Sequence, residues 1–219
     1  MFFRILKRSG GTLMNYDFSC PVLGQTIEFH TQDGLFSPTA PDRGTLAMLR
    51  HVEITKDSRV LDLGCGWGYV SVYACLAGAA RVDACDINED AAFCTRENLT
   101  RAGLSASVRV SDGLDAVKAC DYTLILSNPP YQSDFAVAKK FIAQAYAHLS
   151  LGGRLIMVTK RRDWYKNRLI AVFGGVQIAE DDGYFVFTAE KRPKKPEKPK
   201  EKQKLSKKLE RKYKKEGQA

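Results

Sequence analysis

From residue 18 onward, the order of apolar and polar positions divides the chain into short segments of clear period. Two β-rich runs, 18–23 and 25–31, flank Gly24 and predict a short hairpin. Asp33-Gly34-Leu35-Phe36-Ser37-Pro38 is turn-rich. Pro41 suits the first position of a helix reaching about residue 52. Strand and helix patterns then alternate. Strands are predicted at 59–63, 81–86, 106–110, 122–126 and 154–159, and helices at 67–76, 88–99, 135–149 and 163–173. Asn88 can cap its helix, and Gly78 and Gly103 follow helix ends. Two last runs, 176–179 and 184–188, lie either side of Asp181-Asp182-Gly183 and predict an antiparallel hairpin. This order predicts an α/β fold: a doubly wound, Rossmann-like, mostly parallel sheet with helices on both faces and a C-terminal antiparallel hairpin. Residues 1–55 are expected to pack on the core as a hairpin and helix, with 56–190 forming the α/β domain.

The period stops at Arg192. Pro193, Pro196 and Pro199 stand among lysines and cannot build a core. Only Leu205, Leu209 and Tyr213 are apolar between 204 and 216, a thin stripe on a conditional helix. Residues 191–219 are expected to be a disordered or conditionally helical polybasic tail. The tail changes how the net charge of +9 is read, because it holds 14 of the 34 Lys and Arg but only 4 of the 25 acidic residues. The body is close to neutral. A polybasic tail suits RNA through counterion release and lacks the bulky apolar anchors a membrane surface needs.

The six cysteines form no C-x-x-C pair, and the three histidines have no paired spacing, so no zinc site is expected. The cysteines read as small buried hydrophobes of a reducing compartment. No apolar run approaches the roughly 18 residues of a membrane span, and residues 1–8 lack a signal-peptide core. The expected location is cytoplasmic.

Two stretches carry candidate chemistry. Asp62-Leu63-Gly64-Cys65-Gly66-Trp67-Gly68 joins a predicted strand to a helix. Its glycines permit a tight turn and close approach by a ligand. The spacing is G-x-G-x-G, and Asp62 would oppose a pyrophosphate at the helix start. It favours a ligand with a cationic amino-acid end. Asp86 ends the next strand, where a carboxylate can accept both ribose hydroxyls, and Ile87 can cover an adenine face. Asp112, with Gly113 after the third strand, is read equally as an acceptor for an adenine amine or as a turn residue.

The second stretch is Ser127-Asn128-Pro129-Pro130-Tyr131, after the buried-strand run 122–126. Two prolines cannot continue a sheet ladder, so the strand ends in a stiff loop at the edge where open parallel sheets bind ligands. An exocyclic amine of a base is a poor nucleophile, its lone pair being conjugated with the ring. The Asn128 side-chain oxygen and the Pro129 carbonyl can accept its two N–H groups and turn the lone pair toward an electrophile. Pro130 fixes that carbonyl's direction, and Tyr131 can stack on the base.

With these residues in view, the sequence resembles the class I S-adenosylmethionine-dependent methyltransferases. Residues 62–68 match their first motif and Asn128-Pro129-Pro130-Tyr131 their amino-group methylation motif. It resembles more narrowly the small methyltransferase domain of ribosomal RNA guanine-N2 methyltransferases, from about residue 29 to 190. That stretch includes Asp33-Gly34-Leu35-Phe36-Ser37 and Ile156-Met157-Val158-Thr159-Lys160-Arg161. The resemblance implies S-adenosylmethionine as cofactor. Its candidate binding residues are Asp62, Gly64, Cys65, Gly66, Gly68, Asp86, Ile87, Asp112, Gly113 and Asn128, with Phe36, Ser37 and Thr45 at the border. Tyr131-Gln132 stand where those enzymes typically have Phe-His. The resemblance implies ribosomal RNA guanine N2 as the leading target, and the departure at 131 and 132 leaves the choice of base open. Adenine N6 of RNA or DNA and a protein glutamine amide are the alternatives within enzymes. An RNA-binding assembly factor with a vestigial cofactor site is the alternative outside them. Lys160, Arg161 and Arg162, with Lys166 and Arg168, read equally as phosphate contacts or as a solvated helix start.

Overall fold

A computed structural model describes residues 5–8, 11–130 and 135–193, with side chains from residue 14 onward. Two sheets form. The first joins β1 (Ile5–Arg8), β2 (Gly11–Val22) and β3 (Gln25–Gln32) as an antiparallel meander. The second contains β4 (Arg59–Leu63), β5 (Arg81–Asp86), β6 (Ser107–Val110), β7 (Tyr122–Ser127), β8 (Leu149–Thr159), β9 (Gln177–Asp181) and β10 (Tyr184–Glu190). Its spatial order is β6-β5-β4-β7-β8-β10-β9, parallel from β6 to β8 and antiparallel beyond. The helices are α1 (Arg43–Arg50), α2 (Tyr69–Leu76), α3 (Glu89–Arg101), α4 (Ala136–His148) and α5 (Arg162–Phe173). The doubly wound sheet and closing hairpin match the expected fold class. The strand order reverses between β4 and β7, the position where open α/β sheets place their ligand crevice.

The sheet separates two cores. One face packs Val60, Leu124 and Ile156 against Met48 of α1 and Val70 of α2. The other packs Leu61, Ile125 and Leu155 against Ile142 of α4 and Leu169 of α5. Successive residues of β4 thus serve opposite faces, as the period of 2 requires. The meander joins the first core through Trp67. Its ring meets Phe29 at a centroid distance of 5.0 Å and Phe18 at 5.6 Å, both edge-on.

Several boundaries differ from the sequence pattern. The meander is longer than predicted and contains β1, which no pattern announced. β2 and β3 pair through polar positions such as Asp17 with His30 and Ser19 with Glu28, so alternation is weak there. Helix α1 starts at Arg43 with Asp42 as its cap, leaving Pro41 outside the helix. Helix α2 starts at Tyr69, not 67, because Gly68 at φ +90° is its left-handed cap. A Cβ at Gly68 would stand 2.9 Å from the Thr95 side chain. β8 runs through Gly152-Gly153 instead of starting after them. A Cβ at Gly153 would lie 2.8 Å from the Tyr122 carbonyl, so glycine here permits close strand approach, not a break.

Candidate active site

A cavity of about 310 Å³ opens at the C-terminal edge of β4, β5 and β7. The loops after β4, β5, β6 and β7 reach it, along with the 33–38 turn, α1 and α4. Asp62, Gly64, Cys65, Gly66, Asp86, Ile87, Asp112, Gly113, Asn128, Pro129 and Pro130 all line it, as do Phe36, Ser37 and Thr45. Gly68 does not line it; its place beneath the turn is set by Thr95. Tyr131 lies outside the described residues, and so does the chain from 194 to 219, which holds most of the expected polybasic tail.

The glycine turn is wired into its neighbours. The amides of Gly64 and Cys65 both donate to the Cys85 carbonyl, at 2.9 and 3.0 Å. The Gly66 amide donates to Asp86 Oδ2 at 2.9 Å, and the Asn88 amide donates to Asp86 Oδ1 at 2.9 Å. A carboxylate oxygen has more than one lone-pair site, so each keeps acceptor capacity toward the cavity. Ile87 beside it is 68% exposed, an apolar side chain held at the cavity rim.

Asp62 is buried and accepts from the Ser71 hydroxyl at 2.6 Å. Burial pushes its carboxyl up to about 7; the Ser71 hydrogen bond opposes this and the Asp86 charge adds to it. A cation bound in the cavity would restore the charged form. Cys65 is also buried, accepts from Thr95 Oγ1 at 3.3 Å, and has its thiol pushed far up by burial. It acts as packing, not as a nucleophile.

Asp112 forms an ion pair with Lys140 at 2.8 Å, and Lys140 also reaches Asp115 at 2.8 Å. The Leu114 amide donates to Gln144 Oε1 at 2.9 Å. These contacts clip α4 to the loop after β6. No sequence pattern marks Lys140, because its partner Asp112 lies 28 residues away in the chain.

The Asn128 side chain donates to Asp42 Oδ2 at 2.8 Å and to Thr45 Oγ1 at 2.9 Å. A carboxylate only accepts, so the amide nitrogen must face Asp42, and the Asn128 carbonyl oxygen lies on the other side of the group. Asp42 and Ser71 were missed in the sequence. Asp42 had a usable signal, since it stands three residues before Thr45 at a helix start, but Pro41 drew the boundary forward. Trp67 was placed in a helix; its Nε1 instead donates to the Phe36 and Ser37 carbonyls, both at 3.1 Å, tying the 33–38 turn over the glycine loop.

Lys160, Arg161 and Arg162 are exposed beyond β8, on the Asn128 side of the sheet. Each cation rests against a ring: Lys160 over Tyr184 at 4.8 Å, Arg161 over Phe135 at 5.1 Å and Arg162 over Phe185 at 6.0 Å. Phe135 itself stacks on Trp164 at 4.1 Å. Lys166 and Arg168 are half-buried on α5. Among the described residues no cluster of His, Cys, Asp and Glu can hold a metal, and no helix is long and apolar enough to cross a membrane.

Comparison with known proteins gives a consistent picture. The family model described as "Methyltransferase small domain" matches residues 26–188. "Ribosomal RNA small subunit methyltransferase C" of Shewanella amazonensis is 32% identical over 172 residues, covering 76% of this chain and 50% of the relative. The protein of the same name from Pseudomonas paraeruginosa is 28% identical over 180 residues, covering 80% and 54%. The chain thus spans about half the length of the curated relatives it matches. Among solved structures, the Thermus thermophilus 16S rRNA N2 G1207 methyltransferase, in complex with AdoMet and guanosine, superposes with a TM-score of 0.76 at 25% identity. That match covers 87% of this chain and 58% of the other.

Proposed function

The chain belongs to the methyltransferase small domain family, and from that premise we propose that it transfers a methyl group from S-adenosylmethionine to an exocyclic amine of a nucleic-acid base, guanine N2 of ribosomal RNA being the target. The observation that carries this reading is a single cavity lined both by the glycine turn with its two carboxylates and by an Asn-Pro-Pro loop. The relatives' names support the choice of ribosomal RNA, and the guanosine complex of the Thermus protein supports guanine.

The cavity residues fit the cofactor. Asp62 offers a buried acceptor for an ammonium group, Asp86 offers acceptor capacity for ribose hydroxyls, and Ile87 offers an apolar face. When bound there, S-adenosylmethionine supplies an electrophilic methyl group. The protein's own part is positional. Asn128 Oδ1 and the Pro129 carbonyl accept the two N–H groups of the target amine and turn its lone pair toward the cavity. Pro129 and Pro130 keep the loop from adjusting, so the geometry is set before the base arrives. The amine loses a proton readily once alkylated, so the loop needs no strong base of its own.

The substrate partner is RNA. The residues proposed to hold it are Lys160, Arg161 and Arg162, whose stems the adjacent rings keep in place, together with the lysine-rich 191–219 segment. RNA as substrate implies a cytoplasmic protein acting on ribosomal particles or their precursors. Calorimetric titration with S-adenosylmethionine separates this reading from an RNA-binding factor with a vestigial site. Binding at micromolar affinity, lost in Asp62→Ala and Asp86→Ala, is the expected result; no heat at all favours the binding factor.

A further inference from the structure

Asn128 is useful as an acceptor only if its amide points one way. Oxygen and nitrogen of an asparagine are nearly isosteric, so a half-turn of the group would offer a donor where an acceptor is needed. An acceptor that distinguishes the two orientations stands 86 residues earlier in the chain.

We propose that Asp42 is a positioning residue that fixes the Asn128 amide with its carbonyl oxygen toward the reacting amine, Thr45 acting as the second acceptor; this rests on the reading of Asn128 as the amine's acceptor. Asp42 Oδ2 takes the Thr45 amide at 3.0 Å and the Asn128 Nδ2 at 2.8 Å, while Thr45 Oγ1 takes Asn128 Nδ2 at 2.9 Å. A flipped Asn128 would set its oxygen against a carboxylate oxygen at hydrogen-bond distance, a repulsive contact in a half-buried place. Aspartate suits this role better than asparagine, because a carboxylate has no donor that could reward the flipped state.

The surroundings of Asp42 are built to hold it there. Gly44 is the only residue type that fits beside it: a Cβ at position 44 would come within 2.9 Å of Asp42 Oδ2 and 2.8 Å of the Tyr184 ring. Helix α1 is held from outside as well. Arg43 pairs with Asp182 in the turn between β9 and β10, and both Arg50 and His51 reach Asp181 at the end of β9. The closing hairpin therefore locates α1, the start of α1 locates Asp42, and Asp42 orients Asn128. An ordinary helix cap would need none of this, and would tolerate asparagine in place of aspartate.

That difference makes the test. In Asp42→Asn the cap survives, so the melting temperature should stay within about 3 °C of wild type. The side-chain NH2 signals of Asn128 in a ¹⁵N–¹H spectrum, assigned by their loss in Asn128→Asp, should be protected from solvent exchange in the wild type. In Asp42→Asn they should shift and exchange at least about tenfold faster. With ribosomal RNA as substrate, kcat should fall about 10–100-fold while KM for S-adenosylmethionine moves less than about threefold. Thr45→Val, which keeps the cap and removes the second acceptor, should move both readouts in the same direction. Unchanged Asn128 signals in both variants would overturn the proposal. The spectrum decides whether or not the RNA tested is the right one, so failure of this inference is distinct from failure of the proposed reaction.

Discussion

Asn128 Nδ2 lies 2.8 Å from Asp42 Oδ2, so the loop that ends β7 is oriented by the residue that begins α1. The two belong to different parts of the chain and meet only because α1 packs beside the C-terminal edge of the sheet. Asn128→Ala removes the acceptor and leaves the glycine turn untouched. Methyl transfer should fall by about 10²-fold or more, with S-adenosylmethionine affinity changed less than about threefold. Single-turnover kinetics alongside calorimetry check this; normal turnover in the variant would remove Asn128 from the mechanism.

Asp62 predicts an unusual pH response. Its carboxyl sits near 7 in the ligand-free protein, against 3.8 for an exposed aspartate, chiefly because it is buried. A group whose folded value is raised favours the folded state most below pH 4 and loses that contribution as pH climbs through 7. Asp62→Asn removes the loss. The variant's melting temperature, compared with wild type, should therefore gain between pH 5 and pH 8 in the absence of ligand. Its affinity for S-adenosylmethionine should fall at least about tenfold at pH 8, since the partner for the ammonium is gone. A melting difference that is flat across this range contradicts the assignment.

Gly68 carries a stability prediction free of any functional assumption. Its φ is +90°, and a Cβ there would meet Thr95 at 2.9 Å. Gly68→Ala should cost about 1–3 kcal/mol in denaturant unfolding, from strain and overpacking together. Combining it with Thr95→Ser, which removes the methyl but keeps the hydroxyl donated to Gly66 O at 2.9 Å, should recover part of the loss. A neutral Gly68→Ala would mean the turn can relax.

The three ring-backed cations predict a salt effect. Lys160, Arg161 and Arg162 changed together to alanine should weaken RNA binding and lower the slope of log K against log salt by up to about 2–3, at roughly 0.7–0.9 per phosphate lost. S-adenosylmethionine binding should be unaffected. An unchanged slope would return this stretch to the status of a solvated helix start.

Much of the site was legible because its signals are local. Strands β4 and β5 were read to the residue, as short apolar runs bounded by turn chemistry, and the spacing from Gly64 to Asp86 follows from one strand-helix-strand unit. What escaped the sequence depends on contacts between distant segments. Asp42 and Lys140 act on Asn128 and Asp112 across the fold; a helix start can mark Asp42 as a cap but says nothing of Asn128, and nothing near Lys140 in sequence points to Asp112. Trp67 looked like the start of a helix because it is apolar and follows glycines. Its ring belongs to the meander's core and its Nε1 to the 33–38 turn. Gly152-Gly153 looked like a break, because composition cannot show that a strand must pass within van der Waals distance of a neighbouring carbonyl.

Nucleoside analysis of methylated RNA decides whether the protein methylates a base amine. RNA from a strain lacking this protein would be incubated with the full chain and S-adenosylmethionine labelled in the methyl group, digested, and its nucleosides separated, with the Asn128→Ala protein as the blank. Label in N2-methylguanosine from ribosomal RNA, absent from the blank, is the predicted result. Label in N6-methyladenosine or in protein alone, or no label in RNA from either free or assembled particles, would contradict it.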